Sequence, residues 1–309
     1  MNQKQFNRTV SFSLIGVLAV LALIGFINRG LNQNFIEDEI AKIHINEGYV
    51  SLAPSITEIL FSLELDSQIV GVTKYCTFPK AAQSKQQVGG YLDPNLEAIL
   101  ALRPKLVFLT EEAEKLAKTL KKFDIQTIGV SHRSVEGILS SIQTIGDSTD
   151  RSQQAKAIVS DIRNRISIVK SIAEGYKQSN PSEKILVVIG KTVENGKIKS
   201  VTIAGNEKFY GSLIKIAGGQ TAYQGPIPFP VLSREGLLVL NPDRIIDIST
   251  DLHKESKADS IARNVWSEMI HLNAVKNQRI SVLPDRYNII PGPRFILTLE
   301  GFSKAIIVN

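Results

Sequence analysis

Cysteine and histidine are scarce in this 309-residue sequence, and their scarcity excludes several kinds of site. Cys76 is the single cysteine, so the chain can form neither an intramolecular disulfide nor a cysteine-rich zinc or iron–sulfur site. The four histidines show no metal-ligand spacing; they are His44, His132, His253 and His271. We therefore expect no metal site built from protein ligands and no resident cofactor.

Catalytic motifs are also missing, and the chain beyond its N-terminal segment is only mildly basic. The sequence has no Gly-x-Ser-x-Gly elbow, no phosphate-binding loop and no Gly-x-Gly-x-x-Gly after a predicted strand. The net charge is +6, and three of the positive charges, Lys4, Arg8 and Arg29, flank one N-terminal segment. We expect neither enzymatic activity nor a nucleic-acid partner.

One long apolar run is present near the start of the chain. Residues 9–28 carry no charged side chain, and this length is close to the ~20 residues that a helix needs to cross a bilayer. Lys4 and Arg8 precede the run, which predicts a cytoplasmic N-terminus. Residues 1–29 are therefore predicted to be a signal-anchor or a cleaved signal peptide. No Ala-x-Ala cleavage pattern is present, which favours the anchor.

The remainder of the chain is then expected to lie in the periplasm or on the outer face of the cytoplasmic membrane. Residues 30–48 are polar and acidic and are predicted to be a tether. After the tether, short apolar runs alternate with helical patterns, which is typical of a parallel sheet covered on both faces. The predicted strands are 49–53, 69–72, 106–109 and 125–130 in a first block and 185–189, 201–204, 244–248 and 280–283 in a second.

A single long helix is predicted between the two blocks. Apolar residues recur at spacings of three and four across residues 150–178. The sequence therefore predicts an α/β protein with two three-layer lobes and parallel sheets, an N-terminal lobe at 49–149 and a C-terminal lobe at 179–309. A helical connector predicts that any hinge motion between the lobes is small.

An internal repeat relates the two lobes. Residues 95–110 match residues 233–250, and the alignment has no gap through the predicted short helix and the proline turn of each copy. Glu97 aligns with Glu235. Each copy predicts a capped short helix, a turn and a buried strand. Two interpretations of the glutamates stay open: they complement the positive end of their helix, or they dock on cationic sockets of a two-fold symmetric partner.

A ligand is expected between the lobes, because ligands of open α/β sheets bind beyond the carboxyl ends of the strands. Aromatic rings with a few cations between them suit a large, rigid ligand with polar edges. Cys76 is expected to be an unpaired thiol beside this site, with no chemical role. The candidate ligand-binding residues are Ser55, Lys74, Tyr75, Tyr91, Thr110, Lys191, Phe229, Arg286 and Tyr287.

From about Tyr49 onward, the chain resembles the iron-chelate and cobalamin class of periplasmic substrate-binding proteins of ABC importers. The resemblance implies two α/β lobes joined by a long backbone helix. It also implies that Glu97 and Glu235 dock on arginines of a permease dimer that works with an ATPase. The segments that carry the resemblance are 51–58, 70–75, 88–91, 95–97, 103–104, 229–235, 241–242 and 291–294.

The resemblance also implies the class of ligand. The arrangement is nearest to the cobalamin binder, whose cleft aromatics match Tyr75, Tyr91 and Phe229, although the last two stand where that protein has tryptophan. A ferric siderophore would use the cations of the cleft. Haem binders use an axial tyrosine or histidine, a role open to Tyr75, Tyr91 or His132. The alternative function is a membrane-anchored sensory or interaction module with the same fold.

Overall fold

The computed structural model describes residues 46–179, 183–252 and 257–307. The predicted signal-anchor or signal peptide at 1–29, with its membrane segment at 9–28, lies outside these residues, as does most of the predicted tether. Among the described residues, no helix combines the length and the apolar character needed to span a membrane. The lobes described below belong to one compact unit, Glu47–Asn309.

The N-terminal lobe is built on a five-stranded sheet. Its elements are β1 Asn46–Ser51, α1 Pro54–Ser62, β2 Ile69–Val72, β3 Gln86–Gln87, α2 Leu96–Leu102, β4 Pro104–Thr110, α3 Glu114–Lys121, β5 Thr127–Val130 and α4 Val135–Ser148. The strand order is β3-β2-β1-β4-β5, and the pairs β1–β2, β2–β3 and β4–β5 are parallel. Strand β4 is buried at every position except Lys105, as expected for a strand covered on both faces.

The C-terminal lobe is built on a mixed sheet of order β11-β10-β6-β7-β9, with β8 paired to β6. The elements are β6 Lys184–Glu194, β7 Lys197–Ile203, α6 Lys208–Ile216, β8 Gln220–Thr221, β9 Val231–Ser233, α7 Arg234–Leu240, β10 Arg244–Asp247, α8 Ala258–Trp266, α9 Asn273–Lys276, β11 Ile280–Val282 and α10 Phe295–Ile307. Strand β10 is parallel to β6 and to β11, and β8 is parallel to β6. Strand β7 is antiparallel to both β6 and β9.

The antiparallel strands correct the expectation of a parallel sheet in this lobe. Strand β6 continues beyond the predicted end at residue 189, and only Asn195 and Gly196 separate it from β7. Both turn residues have positive φ, +53° and +76°, which is the backbone of a tight hairpin turn. Because a parallel connection needs a crossover of a dozen or more residues, a two-residue link forces antiparallel pairing.

Helix α5, Ser152–Ser179, connects the two lobes where the sequence predicts a helix at 150–178. Its 28 residues extend about 42 Å at 1.5 Å per residue. The largest apolar core continues from one lobe to the other, and it includes Phe108 of the N-terminal lobe and Phe302 of the C-terminal lobe. This continuity limits how far the lobes can move apart. The buried face of α5 is formed by Ala155, Ile162, Ile166, Val169 and Ala173.

Candidate functional site

Loops that follow strands β2, β3 and β4 form the N-terminal wall of the candidate site. Tyr75 is 53% exposed, and the Lys74 ammonium lies 5.2 Å from the centroid of its ring. The same ammonium lies 3.6 Å from Asp93 Oδ2 on the next loop. The Tyr91 hydroxyl lies 3.3 Å from Thr110 Oγ1 at the end of β4. The structure therefore places four of the predicted ligand-binding residues along one edge of the sheet.

Ser55 and His132 form a buried pair at the same edge. Ser55 Oγ lies 2.7 Å from His132 Nδ1, and His132 Nε2 makes no hydrogen bond to any described residue. Burial lowers the pKa of His132 to about 4, against a smaller opposing effect of Glu112, so the imidazole is neutral near pH 7. No group of three potential metal ligands comes together within the residues that the structure describes. Ser55 thus acts in a hydrogen bond under the wall surface.

On the C-terminal wall, Lys191 is bound within its own lobe. Its ammonium lies 2.9 Å from Asp247 Oδ2 and donates to Ser249 Oγ at 2.5 Å. Trp266 Nε1 also donates to Asp247 Oδ2, at 2.7 Å. The Lys191 side chain is 11% exposed. Lys191 is therefore a neutralised, nearly buried cation, and it differs in this respect from the exposed Lys74.

Phe229 projects from a stiff loop on the same wall. It stands between Pro228 and Pro230 and is 49% exposed. The loop is fastened on both sides of the ring: Gly205 N donates to Pro228 O at 2.7 Å, and Ile203 N donates to Pro230 O at 3.1 Å. Because proline fixes φ on both sides, the ring is presented with little backbone freedom.

Arg286 and Tyr287 follow strand β11. Arg286 is exposed, and Tyr287 is partly buried. The Tyr287 hydroxyl donates to Asp285 Oδ2 at 3.1 Å. Burial and the Asp285 charge raise the pKa of Tyr287 to about 12, so its hydroxyl stays protonated at neutral pH.

An ion pair joins the two lobes beside Tyr287. Arg294 donates two hydrogen bonds to Glu58 of helix α1, at 2.9 and 2.6 Å. The guanidinium carbon also lies 3.5 Å from the centroid of the Phe78 ring and 5.5 Å from that of Tyr287. Burial raises the pKa of the Glu58 carboxyl, and the hydrogen bonds from Arg294 oppose this rise. We call Glu58, Phe78 and Arg294 the inter-lobe clasp.

The clasp was not predicted from the sequence. Glu58 and Arg294 lie only within the segments that carry the family resemblance, and Phe78 lies outside them. The two charged residues are 236 positions apart, so no local spacing connects them. Phe78 could have been predicted as a wall residue, because its ring lies only three positions after the candidate ligand-binding residue Tyr75.

Helices α2 and α7 match position by position over their seven residues, as the repeat predicts. Asn95 and Ser233 are their N-caps, and each side chain accepts a hydrogen bond from the backbone N–H three residues further on. Both helices end at a left-handed residue, Arg103 with φ +44° and Asn241 with φ +39°. The lobes therefore contain two copies of one capped helix followed by a strand.

The repeat also relates the two exposed glutamates to two exposed rings. Glu97 and Glu235 lie on the first turns of α2 and α7, where both are exposed. A hydrogen bond from the Ser233 hydroxyl lowers the pKa of Glu235. Tyr91 and Phe229 each stand six residues before their glutamate. A candidate ligand-contacting ring and an exposed carboxylate therefore share one short segment in each lobe.

Cys76 is buried just after Tyr75 in the N-terminal wall. The Thr57 hydroxyl donates to its sulfur at 3.1 Å, and Thr73 Oγ1 lies at the same distance. Burial raises the pKa of the thiol, which keeps it protonated at neutral pH. The thiol is therefore beneath the surface of the wall.

Comparison with known proteins agrees with this architecture. The chain is 28% identical over 262 residues to the uncharacterized ABC transporter substrate-binding lipoprotein YvrC of Bacillus subtilis, covering 83% of this chain and 79% of that protein. It is 22% identical over 260 residues to the vitamin B12-binding protein of Photorhabdus laumondii, covering 83% and 86%. A periplasmic heme binding protein from Pseudomonas aeruginosa has the same fold, with a TM-score of 0.71 and 23% identity over 85% of this chain and 93% of that one. Residues 50–287 match the family described as periplasmic binding protein, and this chain therefore belongs to that family.

Proposed function

We propose that this chain is the substrate-binding component of an ABC importer, which captures a metal chelate between its lobes and delivers it to a membrane permease. The ligand class is a corrinoid, a haem or a ferric siderophore. The names of the relatives support this class, since they include a vitamin B12-binding protein and a heme binding protein. The observation that carries the proposal is the pair of exposed glutamates on matched helices, one in each lobe.

The proposed ligand site is formed mainly by rings. Tyr75, Tyr91 and Phe229 are exposed at the ends of the strands, where they can stack on the faces of a macrocycle or pack on a chelate. Thr110 holds the Tyr91 hydroxyl and so orients that ring. Arg286 supplies an exposed donor for polar groups at the ligand edge.

The remaining predicted residues act around these rings. Lys74 and Tyr287 lie at the wall surface and offer an ammonium and a phenol to the ligand edge. Ser55 and Lys191 support the walls from beneath, since Ser55 is held in a buried hydrogen bond and Lys191 in partly buried ones. Lys191 reaches a ligand only after its bond to Asp247 opens.

Docking is proposed to use Glu97 and Glu235. Each carboxylate stands on a short helix whose start is fixed by a side-chain cap and whose end is fixed by a left-handed residue, so the two charges are held at defined positions. A two-fold symmetric permease presents the same cationic socket twice, which suits one carboxylate in each lobe. Because each glutamate shares a short segment with Tyr91 or Phe229, a movement of the docked helices also displaces these rings.

The test is uptake into proteoliposomes that contain the permease and its ATPase. We expect Glu97→Ala with Glu235→Ala to leave the dissociation constant for the ligand unchanged and to abolish stimulated uptake. Glu136→Ala with Glu174→Ala is the matched control, because both of these glutamates are exposed and lie on α4 and α5. Normal uptake by the Glu97 and Glu235 double variant contradicts the docking proposal.

The proposal also places the chain on the outer face of the cytoplasmic membrane, anchored by residues 9–28. Membrane fractionation tests this location. An anchored chain stays in the membrane fraction after washing with high salt, and its N-terminal sequence begins at the start of the chain. A shortened chain in the periplasmic fraction indicates a cleaved signal peptide. Ligand binding without any stimulated uptake, from a chain with both docking glutamates intact, favours the sensory alternative.

A further inference from the structure

The cations on the walls of the candidate site are matched by carboxylates. Four ion pairs each join one positive side chain to one carboxylate, so each pair has no net charge. They lie at or next to the carboxyl ends of the strands, or they join the two lobes at that edge. The pairs are Lys74 with Asp93 at 3.6 Å, Arg133 with Glu112 at 2.8 Å, Lys191 with Asp247 at 2.9 Å, and Arg294 with Glu58 at 2.6 Å. The loop after β11 carries Asp285 and Arg286 in succession, so these two residues add no net charge to the wall. The described walls therefore offer rings without an excess of positive charge.

We infer that the site selects metal chelates of low net charge over polyanionic chelates, and that Asp93 is the specificity-determining residue at the rim. The inference rests on the proposed function and narrows its ligand class. A trianionic chelate, such as a ferric tris-catecholate, gains no net attraction from walls whose charges cancel. It also meets the Asp93 carboxylate beside the exposed Tyr75 and Lys74.

Asp93 differs from the carboxylates of the deeper pairs in its exposure. The Asp93 side chain is 72% exposed, whereas those of Asp247 and Glu58 are 1% and 3% exposed. Removing a buried carboxylate leaves an unpaired buried cation and destabilises the protein. Removing the Asp93 charge instead frees Lys74, an exposed cation at the rim.

The local backbone accommodates this rim pair. A Cβ atom on Gly90 would overlap Asp93 Oδ1 and would lie 3.2 Å from Lys74 Cε. Because glycine has no side chain, the side chains of Lys74 and Asp93 can approach each other at this position. The loop itself is held by main-chain bonds, from Gly90 N to Asp93 O at 3.1 Å and from Asn95 N to Val88 O at 2.9 Å. Because these bonds do not use the carboxylate, Asp93→Asn should preserve the loop.

The experiment compares affinities of the full-length chain for four probes: cobalamin, haem, a neutral ferric hydroxamate and a trianionic ferric catecholate. The proteins are the wild type, Asp93→Asn and the control Glu136→Gln, which removes an exposed paired carboxylate on α4. We expect the wild type to bind one of the low-charge chelates more tightly than the trianion. Removing one negative charge about 8 Å from a trianion is worth about tenfold in affinity at low salt and about threefold at physiological salt.

Asp93→Asn should therefore raise affinity for the trianion by these factors and change affinity for the neutral chelates much less, because a neutral ligand has no net charge for the freed Lys74 to attract. Glu136→Gln should change neither. The inference is wrong if the wild type binds the trianion as tightly as the low-charge chelates, or if Asp93→Asn does not shift the ratio. Binding of none of the probes by the folded wild type overturns the proposed function and the selectivity together, which distinguishes that failure from a loss of selectivity alone.

Discussion

Replacing Arg294 with methionine removes the guanidinium that joins the two lobes at Glu58. The change leaves a carboxylate whose side chain is only 3% exposed without its partner. Breaking a buried ion pair by removing one member costs about 3 to 5 kcal/mol. Because the Arg294 side chain is 22% exposed, water weakens the pair, and we expect about 3 kcal/mol in the free energy of unfolding at pH 7. Loss of the contact with the Phe78 ring contributes to this total.

The loss should depend on pH in a defined direction. Burial raises the pKa of the Glu58 carboxyl, and Arg294 opposes that rise. In Arg294→Met the opposing cation is gone, so the folded-state pKa of Glu58 lies further above its unfolded value. A raised carboxyl pKa means that the folded variant binds more protons than the unfolded chain, so its stability falls as pH increases through that interval. The deficit of the variant should therefore be larger at pH 7 than at pH 5.

Urea unfolding at the two pH values measures this prediction. Trp266 is the single tryptophan and is fully buried, so its fluorescence reports unfolding of the C-terminal lobe. The control is Arg163→Met, which breaks an exposed pair with Glu136 and should cost less than about 1 kcal/mol. Arg294→Met combined with Glu58→Gln should lose less than the sum of the single changes. If Arg294→Met costs no more than Arg163→Met, the clasp does not hold the lobes together as argued.

Three further predictions concern single side chains. The pKa of His132 is about 4 in the folded chain, below the ordinary value of 6.5. The free energy of unfolding should therefore fall by up to about 3 kcal/mol as pH drops from 6.5 to 4, and His132→Asn should lose this dependence, which urea titrations at several pH values would show. Tyr91→Ala and Phe229→Ala should each weaken ligand binding by about 1 to 3 kcal/mol in calorimetry, and unchanged affinity in both would exclude these rings from the site. Cys76 should react slowly with a thiol reagent in the native chain and quickly in urea, and rapid native labelling contradicts its burial.

Patterns that act over a few residues predict much of this fold. Apolar spacing indicates the α5 helix, and the repeat around Glu97 and Glu235 indicates two matched capped helices. These features depend on side chains that meet within one turn or along one strand, so local order in the sequence encodes them. The β6–β7 hairpin is also encoded locally, because Asn-Gly between two strands is a short-range signal for a tight hairpin turn. The alternation of strands and helices does not reveal this turn.

Contacts between distant segments could not be predicted in the same way. The pairing of Glu58 with Arg294 depends on how the lobes are set against each other, and that geometry leaves no spacing in the sequence. Lys191 shows the same problem within one lobe. It follows the core of a strand and resembles a free cation of the cleft, yet Asp247 lies 56 residues later and binds it. In a site assembled from loops, the availability of a cation to a ligand therefore depends on carboxylates that are distant from it in the sequence.

Calorimetric titration of the full-length chain, held in lipid nanodiscs, with cobalamin, haem and ferric hydroxamate and catecholate chelates tests the proposed function. One of these compounds should bind tightly at one-to-one stoichiometry, with a dissociation constant that Glu97→Ala and Glu235→Ala leave unchanged. A chain that is folded by its Trp266 fluorescence and binds none of them would contradict the claim that this protein is the receptor of a metal-chelate importer.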